Sequence, residues 1–516
     1  MKLSPARRWP LALGPGLALL LLASAAGAQG LPPVPVPPQN PITEPKRILG
    51  KILFWEEQLS TNDLVACGTC HRPAAAGGDP RLARHPGLDG TFFTPDDVLG
   101  SLGLARTNVT GQPVSDPIFG FDPQVTSRAA PSFLTGQFAP ELFWDGRAGN
   151  AFEDPETGQI LIPIGGALES QSLVPILSDV EMAHEGMQWS EVTGKLGTAV
   201  PLGLASDLPA DVQAALASGA TYPDLFAAAF GDPSITASRI AFAIATYERT
   251  LVPDQTPWDA FVAGNPGALT PGQQQGLGFF QNSPCSICHQ PPFFTNHTFR
   301  NVGLRPVPED VGRQGVTGLP QDRGRFKVPS LRNVGLKTRF MHNGQLVSLE
   351  DVVGFYATPA RQFPDNRDPL VPVPVPPQVV PALVDFLRNG LTDPRVAAET
   401  FPFDRPTLRS ENPANDAPMM VSGTSFLTVE PAFPNPLRTS TTLRYSLGRP
   451  SDVVVSIFDL QGRRIRSLVN DPQDAGGHAV SWDGRDDRGE SVGSGVYFYR
   501  VATGSASESG RVVLAR

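Results

Sequence analysis

Two short stretches decide how this chain of 516 residues folds: Cys67-Gly68-Thr69-Cys70-His71 and Cys285-Ser286-Ile287-Cys288-His289. Together they contain all 4 cysteines of the chain, and each ends in a histidine. The pattern CxxCH is typical of covalent haem attachment, in which two thiols bind the vinyl groups and the histidine becomes an axial iron ligand. The sequence therefore predicts two haem c groups, with His71 and His289 as iron ligands.

Other interpretations of the cysteines are a CxxC redox pair, a four-cysteine zinc site and two disulfides. None of them requires a histidine after both pairs, and the chain has only 7 histidines. The pairs also lie far apart, at 67–70 and 285–288, whereas the cysteine pairs of zinc sites are usually closer. Haem attachment is the interpretation that accounts for all of these residues.

The composition limits the class of protein. The chain has 41 basic and 50 acidic residues and a net charge of −9, which argues against nucleic acid as a partner. The 4 cysteines are too few for a dense disulfide scaffold, the 40% hydrophobic residues are too many for a disordered chain, and the 51 Gly and 55 Pro indicate many loops. We expect a loop-rich protein of about three domains.

Residues 1–28 are predicted to be a cleaved signal peptide. A basic start is followed by the apolar stretch Leu11–Ala23 and by the small residues Ala26-Gly27-Ala28. A retained membrane anchor is the alternative, but the apolar stretch is shorter than the ~20 residues that span a bilayer. We therefore expect export to the periplasm or the cell surface, with no membrane span in the mature protein.

The rest of the chain divides into segments of different pattern. The predicted fold class is mainly α, with two cytochrome c-like haem domains and long loops, followed by an all-β immunoglobulin-like sandwich. The predicted boundaries are 29–41 for a Pro-rich spacer, 42–260 and 261–405 for the haem domains, 406–424 for a linker and 425–516 for the sandwich.

Apolar periodicity predicts a helix ahead of each CxxCH motif. Ile48, Leu49, Ile52 and Leu53 share one face of the first helix, and Thr270-Pro271-Gly272-Gln273 is a capping box that begins the second. Further helices are predicted at 238–251 and 381–388. Near the C-terminus, the segments TTLRYSL, DVVVSIFDL, HAVSW and VYFYRV are typical of β-strands.

Several longer segments resemble the bacterial di-haem cytochrome c peroxidases and their MauG-type relatives, which oxidise a partner protein. The resemblance covers about Ile42 to Pro406. It rests on the segments LGKILFWEEQLS, RAAPSFLTGQFAPELFWDGRA, ALESQSLVPILSDVEMA and GRFKVPSLRNVGLKTRFMHNGQLVSLEDVVGFY. It implies that the haem on His71 is peroxidatic and that the haem on His289 receives and relays electrons.

The same resemblance implies roles for other residues. Trp144 matches a tryptophan between the haems, Glu181 matches the acid of the peroxide pocket, and Gln171 matches a polar residue there. Without the resemblance, Trp144 is interpreted as a core aromatic and Glu181 as a solvated carboxylate. Cations expected to neutralise haem propionates are Arg300, Arg325, Lys327 and Arg332.

The sixth ligand of each iron separates electron transfer from small-molecule chemistry. Peroxidases of this family carry a histidine in the loop corresponding to 116–128, and its absence here predicts an open first haem, with His85 as the alternative. At the second haem, Tyr356 stands where those peroxidases have an axial methionine, as in MauG-type proteins. Tyr356 is therefore favoured over the competing candidate, Met341.

Calcium is considered as a further cofactor. The resemblance implies a calcium site in which Ala129 replaces an asparagine, and this replacement weakens the site. The acidic loop 89–97 is a second candidate, although Asp residues in such loops usually form turns. An insertion at about 149–166 is given no role.

The C-terminal segment carries a second resemblance. EPAFPNP, VSIFDLQGRRIRSL and SWDGRDDRGESVGSGVYFYRV are similar to the immunoglobulin-like domain of flagellar hook-capping proteins and to the sorting domains of type IX secretion. Because the segment has no titratable cluster, we expect docking to secretion machinery or to the cell surface rather than catalysis.

These patterns predict a di-haem peroxidase that reduces hydrogen peroxide to water with electrons from a small redox protein, a cytochrome c or a cupredoxin. One alternative is MauG-like oxidation of a protein substrate, which Tyr356 and the missing histidine favour. The other is a non-enzymatic di-haem electron carrier.

Overall fold

The computed structural model describes residues 30–411, apart from 82 and 93, together with 427–429, 432, 434–437, 439–447, 450–459, 463–474, 476–503 and 507–515. The predicted signal peptide, 1–28, and the predicted linker from 412 onward lie outside the described residues. Within the described ranges, no helix is long and apolar enough to cross a membrane.

The region from 44 to 411 is built from short helices, long loops and small hairpins. Its α-helices are α1 (Glu44–Phe54), α2 (Cys67–Cys70), α3 (Ala167–Leu173), α4 (Trp189–Leu196), α5 (Ala210–Leu216), α6 (Tyr222–Phe230), α7 (Ala237–Thr250), α8 (Pro257–Val262), α9 (Pro271–Gln281), α10 (Cys285–Cys288), α11 (Gln314–Thr317), α12 (Leu349–Ala357), α13 (Val380–Asp385) and α14 (Pro394–Ala397). Its strands pair as two-stranded antiparallel sheets: β1 (Ala83–His85) with β2 (Val98–Gly100), β3 (Leu102–Ala105) with β4 (Pro123–Val125), β5 (Phe152–Glu153) with β6 (Ile160–Ile162), and β7 (Phe299–Arg300) with β8 (Phe326–Lys327).

Helix α1 leads into the first CxxCH motif and packs against α7. The two helices approach closely at Gly50, where a Cβ atom would lie 1.9 Å from the carbonyl oxygen of Ala243. Leu49, Ile52 and Leu53 are buried in the core that surrounds this crossing. The helices predicted before Cys67 and at 238–251 are therefore confirmed.

Trp55 connects this helix pair to the first motif. Its indole lies directly against Gly68, since a Cβ atom at Gly68 would be 2.1 Å from the ring. The indole N–H donates a hydrogen bond to the Tyr247 hydroxyl of α7 at 3.3 Å. The first motif is thus anchored on α1 and α7 by a buried aromatic contact.

The second motif is positioned by a similar helix crossing. Helix α9 begins at the predicted capping box, in which the Thr270 hydroxyl accepts from the backbone N–H of Gln273. It crosses α13 at Gly276, where a Cβ atom would lie 2.1 Å from the carbonyl oxygen of Ala382. The chain continues from α13 into a π-helical turn, Phe386–Gly390. Each motif therefore follows a helix that packs closely against a second helix at a glycine.

The segment 394–411, which follows the π-helical turn, packs against the core around α1 and α7. Val396, Phe403 and Leu408 are buried in the core around α1 and α7. Asp404 accepts a hydrogen bond from the Lys51 ammonium at 3.0 Å. The helical region consequently includes the first residues of the predicted linker.

The insertion at 149–166 forms the β5–β6 hairpin and supports α7. A carboxylate oxygen of Glu156 accepts from the backbone N–H of Ala237 at the start of the helix, at 2.9 Å. Near the other end, Arg249 donates to the Gly165 carbonyl at 3.1 Å and forms a buried ion pair with Glu169 at 2.6 Å. The insertion therefore has a structural role.

The C-terminal strands form two antiparallel sheets around one core. The strands are β9 (Leu427–Val429), β10 (Thr441–Leu447), β11 (Ser451–Phe458), β12 (Arg464–Gln473), β13 (Gly476–Trp482), β14 (Gly495–Thr503) and β15 (Ser507–Leu514). One sheet has the order β13-β10-β9 and the other β12-β11-β14-β15. Trp482 is fully buried between them, and its indole N–H donates to the Arg485 carbonyl at 2.9 Å. The predicted strand-rich C-terminal domain is confirmed.

The crossing of α9 and α13 leads to a stability prediction. Replacing Gly276 by Ala places a methyl group against the Ala382 carbonyl, so we expect a loss of about 1–3 kcal/mol in the free energy of unfolding. Chemical denaturation of the holoprotein, followed by far-ultraviolet circular dichroism, measures this change.

Gly278→Ala is the matched control in the same helix. Nothing lies within 4 Å of a Cβ atom at this position, and Ala is favoured over Gly in a helix by about 1 kcal/mol. We expect the control to be at least as stable as the original protein. Equal destabilisation by both substitutions contradicts the close approach at Gly276.

Candidate functional site

A cavity lies beside each CxxCH motif. The first has a volume of about 500 Å³, and its wall includes Cys67, Cys70 and His71. The second has a volume of about 230 Å³, and its wall includes Cys285, Cys288 and His289. The structure therefore places each motif in the wall of a cavity.

Each motif histidine is oriented by a backbone carbonyl. Nδ1 of His71 lies 3.0 Å from the carbonyl oxygen of Gly77, and Nδ1 of His289 lies 3.0 Å from that of Phe294. Because a carbonyl only accepts, Nδ1 carries the proton and Nε2 keeps its lone pair. Burial lowers the pKa of both rings. Each motif thus offers a neutral imidazole as a ligand.

The residues around the motifs fit covalently attached haem. All four thiols are free in the structure, as covalent haem attachment requires. Burial raises the pKa of Cys70 to about 12, opposite to the lowered pKa of a reactive redox cysteine. Among the residues that the structure describes, no three His, Cys, Asp or Glu side chains are grouped to hold a metal ion, which excludes a four-cysteine zinc site. Free thiol pairs and oriented imidazoles beside cavities form the donor set of haem c.

Trp144 lies in the wall that the two cavities share. Its indole N–H donates to the Ala129 carbonyl at 2.8 Å, and its own carbonyl accepts from the backbone N–H of Lys327 at 2.7 Å. The His342 ring lies at its edge, with ring centroids 6.4 Å apart. The structure therefore places an oxidisable aromatic side chain between the two motifs.

Glu181 and Gln171 both line the first cavity. Burial raises the pKa of the Glu181 carboxyl, and the charge of Arg147 partly opposes this shift. Arg147 lies in the same wall and stacks on Phe143, with its guanidinium 3.6 Å from the ring centroid. A carboxyl with a raised pKa in a cavity can take up a proton and release it again, as general acid–base chemistry requires.

Tyr356 and Met341 both line the second cavity. Tyr356 lies on α12, and burial, followed by the nearby Cys285, raises the pKa of its phenol. Met341 lies in a loop with a φ of 69°, which is uncommon for a residue other than glycine. The structure brings both candidate ligands to the site, and the choice of Tyr356 stays a prediction.

The cations expected to meet haem propionates differ in their surroundings. The expectation for Arg332 is wrong, because its guanidinium donates to Asp259 and to the carbonyls of Pro253 and Pro292, and it is fully buried away from both cavities. Arg325 lines neither cavity. Lys327 lines both cavities, and burial lowers its pKa to about 8.

Arg300, the fourth of these cations, lines the second cavity but is already paired. Its guanidinium contacts Asp368 at 2.8 Å. Of the four expected cations, Lys327 therefore has the placement that best suits a propionate.

His85 and the acidic loop lie apart from the cavities. The His85 ring packs against Phe119 and accepts from the Gly87 N–H, and it does not line the first cavity. The Asp96 carboxylate accepts from the backbone of its own loop, at Leu88 and Asp89. These contacts disfavour His85 as an iron ligand and give the loop carboxylates a turn-forming role.

Two further polar residues line the first cavity. Both ring nitrogens of His297 are buried without a hydrogen-bond partner, as is one carboxylate oxygen of Glu248. Burial lowers the pKa of His297 to about 4 and raises that of Glu248 to about 8. Glu248 follows Ile244 by four positions on the apolar face of α7, and this spacing is the sequence signal that marks it. No motif marks His297.

Comparison with known proteins shows two family matches. Residues 44–267 match the family model of the di-haem cytochrome c peroxidases. Residues 437–507 match the model of the FlgD Ig-like domain. The two matches lie in the helical region and in the strand-rich domain, respectively.

The chain is similar in sequence both to MauG proteins and to cytochrome c peroxidases. It is 28% identical over 358 residues to the methylamine utilization protein MauG of Methylophilus methylotrophus, covering 67% of this chain and 85% of that protein. It is 29% identical over 335 residues to the cytochrome c551 peroxidase of Pseudomonas aeruginosa, covering 62% of this chain and 75% of that protein.

A solved structure supports the fold. A MauG-like protein associated with microbial copper homeostasis matches with a TM-score of 0.51 and 24% identity, covering 72% of this chain and 96% of that structure. The family models and the sequence matches, in turn, confirm the predicted resemblance to di-haem peroxidases and MauG and the resemblance of the C-terminal domain to FlgD. The predicted enzyme class, an oxidoreductase of the cytochrome c peroxidase type, is also confirmed.

Proposed function

Because the chain is an oxidoreductase related to the di-haem cytochrome c peroxidases and to MauG, we propose that it reduces hydrogen peroxide to water. The electrons come from a small redox protein, a cytochrome c or a cupredoxin. One peroxide molecule, two electrons and two protons give two water molecules. In this proposal, residues 42–260 carry the peroxide-reducing haem, and residues 261–405 carry the haem that receives electrons.

The wall shared by the two cavities carries this proposal. Trp144 faces both cavities, whereas Glu181 lines only the first. A proton acceptor at one site and an aromatic side chain between this site and a second one suit a reduction of peroxide in which the electrons arrive from the second site. The asymmetry supports the first cavity as the place where peroxide is reduced.

Glu181 moves the proton in the proposed reaction. A haem attached at Cys67 and Cys70 supplies the iron at which peroxide binds and is reduced. Glu181 accepts a proton from one peroxide oxygen and returns it to the other, which leaves as water. Gln171 orients the peroxide by a hydrogen bond. The charge of Arg147 favours the ionised form of Glu181 that begins the cycle.

The second haem is proposed to be held by His289 and Tyr356. A tyrosine ligand lowers the reduction potential relative to a methionine ligand, which favours higher oxidation states. In this proposal, His71 is the one protein ligand that would hold the iron of a haem at the first motif, so peroxide would bind without the prior release of another side chain. Lys327, in the wall of both cavities, neutralises propionate charge.

The location and partners of the protein are also proposed. Residues 1–28 are removed on export, and the FlgD-like domain docks the enzyme at the cell surface or at secretion machinery. The core of this domain packs around Trp482, and none of its residues lines either cavity. This placement supports docking rather than a part in the redox chemistry.

MauG-like oxidation of a protein substrate is the second candidate. The homology to MauG and the position of Tyr356 in the second cavity favour it. Steady-state assays with peroxide and reduced cytochrome c distinguish the two functions. A holoprotein with two haems that shows no turnover with any small redox donor contradicts the peroxidase proposal.

We predict two haems per chain after expression with a haem c maturation system. The double variant Cys67→Ala/Cys70→Ala should keep one haem, and so should Cys285→Ala/Cys288→Ala, because each pair supplies the thioether bonds of a separate group. Pyridine haemochrome spectra with a protein assay measure the ratio. A ratio of one in the unmodified protein contradicts the assignment.

Replacing Glu181 by Gln should lower kcat/KM for peroxide by about 10²-fold or more, because a positioned proton-transfer group contributes about 10²–10⁴-fold. Burial raises the pKa of Glu181 above its ordinary value of 4.5. The carboxylate form therefore appears, and activity rises, at a higher pH than for a solvated glutamate. This acidic limb of the pH profile should be absent in the variant.

Glu185→Gln is the control for this experiment. The Glu185 side chain is half exposed and pairs with Arg106, so its loss should change kcat/KM by less than about twofold. Equal activity of Glu181→Gln and the unmodified protein, with both haems retained, refutes the role of Glu181.

The sixth ligand of the second haem is tested by Tyr356→Phe and Met341→Leu. We expect the oxidised protein to lack the near-infrared charge-transfer band typical of methionine ligation. Tyr356→Phe should change the electron paramagnetic resonance signal of the second haem, whereas Met341→Leu should preserve it. A methionine-type band that Met341→Leu abolishes shows that the assignment to Tyr356 is wrong.

A further inference from the structure

Lys337 is a cation in the wall of the second cavity. Two other cations of this wall have protein partners: Arg81 contacts Asp79 at 2.7 Å, and Arg300 contacts Asp368 at 2.8 Å. No carboxylate of the described chain takes this role for Lys337, and burial is the only influence that shifts its pKa. The cavity wall therefore holds a cation without a protein anion.

The Lys337 ammonium reaches the loop that follows the first motif. Its Nζ lies 3.0 Å from the position that a Cβ atom would take on Gly78. Gly78 itself lines the second cavity, and His71 feels the charge of Lys337. The ammonium therefore lies where the first half of the helical region closes the cavity of the second motif.

An unpaired ammonium inside a protein is unfavourable unless an anion accompanies it. Burial lowers the pKa of Lys337 to about 8, so the ammonium form still predominates at pH 7. The charged ammonium lies in the wall of the cavity that Cys285, Cys288 and His289 also line. A ligand that brings a carboxylate to this wall would remove the cost.

We propose that Lys337 binds a propionate carboxylate of the haem attached at Cys285 and Cys288, and that its charge raises the reduction potential of this haem. The inference rests on the proposed function, because it requires a haem at the second motif. A nearby positive charge disfavours the oxidised iron, which carries one more positive charge than the reduced iron. Lys337 is thus a positioning residue that tunes the electron-receiving site.

The test compares three substitutions in the holoprotein. Lys337→Met keeps the length of the side chain and removes its charge, whereas Lys337→Arg keeps the charge. Lys195→Met is the control, because Lys195 pairs with Asp63 and lines neither cavity. Redox titrations followed by electron paramagnetic resonance measure the potentials, and the second haem is the one whose signal changes when Cys285 and Cys288 are replaced.

Lys337→Met should lower the potential of the second haem. At a fixed ambient potential, we expect its ratio of reduced to oxidised haem to fall by about three- to tenfold, where tenfold corresponds to 59 mV for a one-electron couple. Lys337→Arg and Lys195→Met should leave the ratio within about twofold. If Lys337→Met instead loses the second haem and Lys337→Arg retains it, this loss supports the same contact.

An unchanged second-haem potential in Lys337→Met overturns the inference. A shift of equal size in Lys337→Arg overturns it as well, because the charge would then be irrelevant. Absence of a second haem from the unmodified protein refutes the proposed function instead. The haem count, taken before the titration, separates these failures.

Discussion

The hydrogen bonds around Trp144 hold together the two halves of the helical region. The indole N–H donates to the Ala129 carbonyl, and the Trp144 carbonyl accepts from the N–H of Lys327. Ala129 in turn donates its own N–H to the His342 carbonyl at 2.8 Å. Buried backbone groups are costly to leave unpaired, so this ladder restricts the separation and orientation of the two cavities.

Charge pairs reinforce the same boundary. Arg128 contacts Asp145 at 2.6 Å in the first half and Asp310 at 2.7 Å in the second. Arg313 contacts Glu141 across the boundary at 2.8 Å. Arg128 and Arg313, which join the two halves, are therefore paired with carboxylates. Lys327 and Lys337, in the cavity walls, form no ion pair within the described part of the chain. This difference is the observation behind the proposal that Lys327 and Lys337 bind haem propionates.

The parts of the fold that could be predicted are those set by local spacing. The CxxCH motifs, the capping box at Thr270 and the apolar faces of α1 and α7 each depend on residues a few positions apart. The return of 394–411 to the first core could not be predicted, because it depends on contacts such as Lys51 with Asp404. Strand β12 was missed because its sequence, RIRSLVNDPQ, is largely polar and lies at the edge of its sheet.

The candidate site likewise combines residues that could be predicted from the sequence with residues that only the structure reveals. Trp144, Glu181 and Gln171 were placed by resemblance, and the structure brings them to one cavity. The propionate role expected for Arg332 failed, since its partner Asp259 lies far from it in sequence. Lys337 lies in a segment that carries the resemblance, but the sequence analysis gave it no role, and only the three-dimensional arrangement reveals that its charge has no carboxylate partner among the described residues.

Electron transfer between the two haems through Trp144 is the central claim, and a rapid-mixing experiment tests it most directly. The second haem is reduced in advance, peroxide is added, and the rate of its reoxidation is compared in the unmodified protein, Trp144→Phe and the control Trp482→Phe. The account predicts that Trp144→Phe retains both haems and reoxidises at least about tenfold more slowly, a barrier increase of about 1.4 kcal/mol, while the control is unchanged. Equal reoxidation rates in all three proteins would contradict it.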